Sequence, residues 1–288
     1  MKTFVNTTLL FSISFLLSPL ASCKPNSTPS PHTGSIQTSI APVFEEDYFD
    51  FPPPTNPTQT YTVWDVSNVD VSQINKTKKL IAFTFDDTPA RELESILSVF
   101  TAYNEANPDC IATATLFCNG RLIDETNFST LHLALTLGWE LGNHSHSHPD
   151  FTTLTNAQIA EELAKTEEKL SSLDGKTKHL FRPPFGRIDK EQKTAVNVPI
   201  IDWTIDTLDW TGASAESIYQ TVFSQKESGS IVLMHDGYQG TVEALKRLLP
   251  DLKNAGYQVV SVSQMAKAHD CPLKNSSTYI RARKKGTS

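Results

Sequence analysis

From about residue 78, short apolar runs alternate with segments whose apolar residues recur at helical spacing. Seven runs read as strands: Leu80–Phe85, Ala112–Cys118, Trp139–Gly142, His179–Arg182, Ile200–Thr204, Ser230–Met234 and Gln258–Val262. Between the first two, Leu93, Ile96, Leu97 and Phe100 fall at i, i+3, i+4 and i+7, which is one helix face. Thr155 with Gln158 is a capping-box start, and Ile159, Leu163 and Leu170 supply the stripe that follows. "VEALKRLLPDLKNAG" ends on Gly256, a helix C′ residue. The stretch around "GRLIDETNFS", between the second and third strands, reads as a long loop. Strand and helix alternating about seven times predict an α/β fold, a parallel sheet with helices outside that can close into a barrel.

The pattern is different upstream. Residues 24–60 hold eight of the 17 prolines among many Ser, Thr and Asn. Such a composition buries too little apolar surface to fold alone, so 24–77 reads as a tether. Within it, the more apolar Val43–Phe51 is a docking segment. Residues 1–23 read as an export signal, with Lys2 ahead of an apolar stretch too short to span a bilayer comfortably. "LASC", Leu20–Cys23, resembles a bacterial lipobox, which would make Cys23 a lipid anchor and the only membrane contact; a plain secretory signal is the alternative. The expected location is therefore the cell envelope, periplasmic or lipoprotein-anchored, or else secreted. Cys110, Cys118 and Cys271 leave one disulfide or three free thiols open. The globular domain is expected over 78–270, as a monomer, with 271–288 a tail ending in the basic "RARKK". A net charge of −7 argues against nucleic acid as a partner.

The strand ends carry the chemistry, and in α/β folds active sites sit at the C-terminal ends of strands. The first run ends in adjacent carboxylates, Asp86 and Asp87, which repel each other unless a cation or a proton intervenes. An Asx turn before Pro89 is the bland alternative. "NHSHSHPDF" brings His144, His146 and His148 just after the third run. Two histidines and one aspartate form a catalytic zinc set with a position left open. Three further strand ends carry Arg182 in "FRPPFG", Asp202, Asp206 and Asp209 in "DWTIDTLDW", and His235 with Asp236 in "IVLMHDG". Singly, each has a structural explanation: a surface arginine, a helix cap, a core-edge histidine.

Taken in order, these segments resemble the NodB-homology polysaccharide deacetylases, carbohydrate esterase family 4. That family's motifs TFDDGP, H(S/T)xxH, RxPY, DxxDW and LxH stand here as "TFDDTP" (84–89), "HSHSH" (144–148), "RPPF" (182–185), "DTLDW" (206–210) and "LMH" (233–235). The resemblance covers roughly residues 78–268 and implies a distorted (β/α)7 TIM-like barrel. It implies that Asp87, His144 and His148 hold one divalent metal, zinc foremost, with cobalt or manganese also suited; His146 is not a ligand position. Asp86 would be the general base, oriented by Arg182. His235 would be the general acid, oriented by Asp209. Phe185, Trp210 and Leu233 would line an acetyl pocket. The implied reaction removes N-acetyl groups from a GlcNAc-containing polysaccharide: peptidoglycan or an exopolysaccharide, with chitin oligosaccharides next. The alternatives are an O-acetyl esterase acting on xylan and a catalytically inactive carbohydrate-binding homologue. Two positions depart from the family. Thr88 replaces the glycine of the first motif, which costs energy if that residue needs a positive φ. Phe185 replaces the tyrosine of the third.

Overall fold

The structure is a computed structural model that describes residues 62–283. The export signal with Cys23, the Val43–Phe51 segment and residues 284–288 lie outside the described residues.

The central strand β1 (Lys79–Thr88) is flanked by parallel neighbours along its whole length. Its first half pairs with β7 (Tyr257–Val260), and its second half pairs with β2 (Thr115–Cys118) and β6 (Ile231–His235). The sheet runs β3 (Glu140–Asn143), β2, β1, β6, β5 (Ile205–Asp206). A parallel bridge from Asn143 to Phe181, and another from Phe181 to Ile200, carry it on to β4 (Ile200–Ile201). No ladder joins β4 to β5, which makes this a distorted (β/α)7 barrel. Helices α1 (Leu93–Ala106), α2 (Phe128–Thr136), α3 (Asn156–Asp174), α4 (Ala215–Gln225), α5 (Gln239–Asn254) and α6 (Val262–Ala268) complete the regular structure between strands.

The period-2 alternation of β1 divides the core. Ile81, Phe83 and Phe85 point outward and pack with Leu93, Ile96 and Leu97 of α1 and Leu245 and Leu248 of α5. Leu80 and Ala82 point inward, where they meet Phe117, Leu180, Ile201, Ile231 and Val260 from the other strands. The inner series continues with Thr84 and Asp86, both buried. The barrel interior therefore turns from apolar to polar towards the C-terminal end of β1.

Several elements depart from the pattern. The expected strand His179–Arg182 contributes only the bridging residue Phe181, because Pro183 and Pro184 follow it and offer no N–H to a ladder. The run Gln258–Val262 ends at Val260, because the Ser261 side chain caps α6 in a capping box with Gln264. The expected loop around "GRLIDETNFS" leads into α2, whose N-cap Asn127 makes no side-chain cap bond. The largest change concerns the ends of the domain. Residues 271–283, expected as a tail, join the fold: β8 (Thr278–Tyr279) pairs with β4, and Leu273, Tyr279 and Ala282 are buried in the inner cluster. Trp64, expected in the tether, packs on the same cluster and donates through Nε1 to Ser263 Oγ at 3.3 Å. These apolar residues are too sparse to show a period, so composition alone hid them. Cys110, Cys118 and Cys271 are buried free thiols.

Candidate active site

Arg182 is the largest of the fully buried side chains, and its guanidinium is fixed from four directions. Nη1 donates to Thr84 Oγ1 and to Asp86 Oδ1, both at 2.7 Å; Nε donates to the Ile201 carbonyl at 2.8 Å and Nη2 to the Asp202 carbonyl at 3.1 Å. The guanidinium carbon lies 4.2 Å from the centre of the Phe117 ring. Gly142 makes room for that ring: a Cβ at 142 would stand 2.6 Å from it. Burial pushes the Asp86 carboxyl up, but Arg182 first, then His144 and His235, hold it below the usual carboxylate range. Asp86 is thus ionised while only 4% exposed.

At Asp87 the chain turns through a left-handed residue, φ 57, a conformation aspartate tolerates better than most residues. Thr88, by contrast, stays extended and buried in β1 opposite Cys118, so the motif position that lacks its glycine does not carry the positive φ. Asp87 Oδ1 lies 3.8 Å from His144 Nε2 and 3.3 Å from His148 Nε2, and one donor atom from each of the three falls within 4.8 Å of the others. His144 Nδ1 is 2.8 Å from the Arg182 carbonyl, which can only accept. That nitrogen therefore carries the proton, and the lone pair of Nε2 faces Asp87. Burial also holds His144 below its ordinary pKa, in the neutral form a metal requires. His146 points elsewhere, with Nδ1 against Gly120.

The histidine loop is shaped from within and from α3. His148 N–H donates to Ser145 Oγ at 3.1 Å, and Ser145 N–H donates to Asn143 Oδ1 at 2.9 Å. From α3, Glu162 Oε2 accepts the His146 and Ser147 N–H groups at 3.0 and 2.7 Å, and Oε1 accepts the Ser147 hydroxyl at 2.8 Å. Nothing in the pattern of the chain singles out Glu162, which reads as one more charge on a polar helix face.

On the opposite wall, strand register places Asp86 directly beside His235. His235 Nδ1 donates to Asp209 Oδ1 at 2.8 Å. Asp209 Oδ2 accepts the His235 backbone N–H and the Thr241 hydroxyl, both at 2.7 Å. Burial lowers the His235 pKa, but the Asp209 hydrogen bond and the Asp86, Asp209 and Asp87 charges outweigh it and lift the imidazole above its ordinary value. Asp236, which follows, is fully buried and ties down the base loop: Oδ2 accepts the Ala90 N–H and its carbonyl accepts the Glu92 N–H, both at 2.9 Å. Burial pushes its pKa up to about 7.

The expected pocket residues sit at the rim and floor. Phe185, with φ 60, is exposed and meets His148 edge-on at 4.6 Å. Trp210 is exposed beside Asp209, and Leu233 is buried on β6 two residues before His235. Asp206 caps the turn into Asp209 by accepting the Leu208 N–H at 2.9 Å. Five of the seven described non-glycine residues with positive φ are Asp87, Ser145, His148, Phe185 and Leu208, all in these loops. Backbone strain is concentrated where the side chains converge.

Comparison with known proteins identifies the family. The family description "Polysaccharide deacetylase" matches residues 73–198. A peptidoglycan-N-acetylglucosamine deacetylase of Bacillus cereus is 33% identical over 195 residues, 65% of this chain and 68% of that protein. The peptidoglycan-N-acetylglucosamine deacetylase PgdA of Listeria monocytogenes is 30% identical over 202 residues; the match covers 69% of this chain but only 42% of that longer protein. Among solved structures, a family 4 acetyl xylan esterase from Clostridium thermocellum, in complex with cobalt, superposes with a TM-score of 0.65 at 26% identity, over 70% of this chain and 98% of that one. With all five motifs gathered at one end of a distorted barrel and these relatives beside it, the chain belongs to the polysaccharide deacetylase family, the carbohydrate esterases of family 4.

Proposed function

We propose that the protein is a metal-dependent hydrolase that removes N-acetyl groups from a GlcNAc-containing polysaccharide, peptidoglycan foremost. The observation that carries this reading is the convergence of three units: Asp87 with His144 and His148, Asp86 with Arg182, and His235 with Asp209. Asp87, His144 and His148 fit a divalent ion in donor type, tautomer and spacing, with zinc first and cobalt or manganese also suited. Bound there, such an ion would polarise the acetyl carbonyl and acidify a water in the site.

The remaining work falls to the protein's own side chains. Asp86, kept ionised by Arg182, takes a proton from the attacking water. His235, held by Asp209 through Nδ1, gives a proton from Nε2 to the departing amine. An amine anion is a far worse leaving group than an alkoxide, so a fully oriented imidazolium favours amide over ester hydrolysis. Trp210 and Leu233 wall the acetyl methyl, and Phe185 flanks His148. Export through residues 1–23, with or without a lipid at Cys23, suits a cell-wall substrate. None of the described helices is long and apolar enough to cross a membrane.

A second reading, O-acetyl esterase on xylan, is favoured by the likeness to an acetyl xylan esterase. Acetate release from peptidoglycan, chitopentaose and acetylated xylan, by protein stripped with chelator and resupplied with zinc, separates the two. Zinc-restored release from the amide substrates is expected. Release from xylan alone sinks the N-deacetylase reading. The kcat/KM profile is expected to fall below about pH 4 as Asp86 is protonated and on the alkaline side, above the ordinary histidine range, as His235 loses its proton. A profile flat from about pH 3 to 10 contradicts the pairing.

A further inference from the structure

We propose that the groove wall next to His235 is a carboxylate-reading subsite built from Arg91 and Tyr238, and that the enzyme's substrate is therefore an anionic glycan. The proposal rests on the deacetylase reading for the reaction, and adds what the neighbouring unit of the substrate must carry.

A cavity of about 310 Å3 opens between the loop after β1 and the loop after β6. Asp87, Ala90, Arg91, His235, Gly237 and Tyr238 line it. That volume is at the small end of binding pockets, which run from about 300 to about 1,000 Å3. The cavity begins at the metal set and at the general acid, so whatever fills it adjoins the acetyl group being removed.

Arg91 is held where the cavity needs it. Only four residues separate Thr88 from α1, so the segment has little slack. Asp236 fixes the backbone on both sides of Arg91, through the Ala90 and Glu92 N–H groups. The side chain is also tethered, because Nε donates to the Gly237 carbonyl at 2.9 Å. Glu92 faces the same nitrogen at 3.7 Å. Both Nη groups are without a hydrogen-bond partner among the described residues, on a side chain that is 73% exposed. A guanidinium fixed at its stem and open at its fork suits bidentate recognition of a carboxylate. Tyr238 adds a phenol; its ring stands edge-on to His235 at 6.1 Å, and its hydroxyl makes no hydrogen bond among the described residues. The other ionisable lining groups are Asp87, committed to the metal set, and His235. On a chain of net charge −7, a cation fixed at this point is not part of a generally basic surface.

The ligand chemistry is a carboxylate on the glycan unit beside the one deacetylated. It can be the lactyl ether of muramic acid or a carboxylate of a stem peptide. Neutral polymers such as chitin offer the fork only hydroxyl and amide oxygens, without the charge or the bidentate geometry of a carboxylate.

The test compares kcat/KM on three zinc-supplied substrates: chitopentaose, peptide-free glycan strands with free lactyl carboxylates, and strands bearing stem peptides. A parallel set has its carboxylates methyl-esterified. Wild type is expected to prefer free over esterified strands about five- to tenfold, the range for an exposed but pinned charged hydrogen bond. Arg91→Gln should collapse that ratio, Arg91→Lys should keep part of it, and Tyr238→Phe should lower it about twofold. Preference confined to peptide-free strands names the lactyl group; preference confined to peptide-bearing strands names the stem. Equal kcat/KM on free and esterified strands in wild type, or a ratio unmoved by Arg91→Gln, overturns the proposal. If wild type releases no acetate from any of them, the deacetylase reading is what failed. Affinity for the free and esterified strands, measured by calorimetry on wild type and Arg91→Gln, then decides the subsite by itself.

Discussion

Two clusters of buried charge lie three residues apart in sequence. Arg182 meets Asp86 at 2.7 Å in the barrel mouth. His179 meets Glu167 at 2.8 Å through Nδ1 and Asp174 at 3.1 Å through Nε2, at the end of α3. Both centre on a buried cation, Arg182 or His179, and both pair opposite charges, although Glu167 is 25% exposed. They differ in what is left over. Each ring nitrogen of His179 is already engaged by a carboxylate, so the imidazolium has no proton or lone pair to offer a substrate. Asp86 spends one oxygen on Arg182 and turns the other towards His144, at 3.7 Å. Pairing marks both clusters; an oxygen left outside the ion pair and turned towards His144 marks only the one proposed to do chemistry.

The largest effect should come from the open cluster. Asp86→Asn keeps the shape and one acceptor for Arg182 but removes the base. We expect kcat to fall by about 10³-fold, within the range for general-base loss, while zinc is still retained on dialysis. The folded state should lose about 3 to 5 kcal/mol, because the buried Arg182 guanidinium loses its countercharge, so kcat is taken per folded molecule. A variant with kcat within tenfold of wild type would mean that Asp86 is held by Arg182 for stability alone, which would erase the distinction drawn between the clusters.

The closed cluster should answer in stability instead. Burial lowers the His179 pKa, but the hydrogen bonds it donates to Asp174 and Glu167 outweigh that and raise it to about 9, and the contact with His179 brings Asp174 down to about 2. A raised histidine contributes stability in full below its unfolded pKa, near 6.5, and loses it as pH climbs through 9. A lowered aspartate contributes in full above its unfolded value, near 4, and loses it as pH drops through 2. Between about pH 4 and 6.5 both contributions are complete. Urea unfolding of wild type should therefore weaken from pH 6.5 to 9, with up to ~3 kcal/mol of that loss from His179, whereas His179→Gln should keep only the shallower slope that the raised groups His235 and Asp236 contribute. Acetate release per folded molecule should stay within about threefold of wild type. An equal alkaline slope in both proteins removes His179 as its source.

The same contrast explains what could be read from the chain. Of the proposed catalytic side chains, Asp86, Arg182 and His235 were legible because they stand at the ends of apolar runs, and period-2 alternation along Leu80, Ala82, Thr84 and Asp86 dictates an inward-facing carboxylate. The proposed ligands were legible as a donor set, and the tautomer of His144 was not, because it depends on the carbonyl of Arg182, distant in sequence. The α/β alternation was legible too. The join of residues 271–283 to β4 was not, since a two-residue strand has no period to detect. Neither was Glu162, because what separates a solvated helix charge from a loop clamp is only which loop lies opposite.

Glu162 provides the finest test. Its carboxylate takes three hydrogen bonds from His146 and Ser147, the turn between two proposed ligands, so it acts on the metal only through backbone geometry. Glu162→Gln keeps one oxygen for the two backbone N–H groups, turns its NH2 towards the Ser147 hydroxyl and removes the charge that strengthens these bonds. We expect zinc affinity, read by chelator competition, to weaken about tenfold, the lower end of what outer partners of metal ligands contribute. Glu162→Asp should recover part of it. The melting temperature of zinc-free protein should move little, because α3 stays packed through Ile159 and Leu170. If affinity holds while the zinc-free melting temperature drops, Glu162 belongs with His179 as a structural anion, and the histidine loop keeps its shape through Ser145 and Asn143 alone.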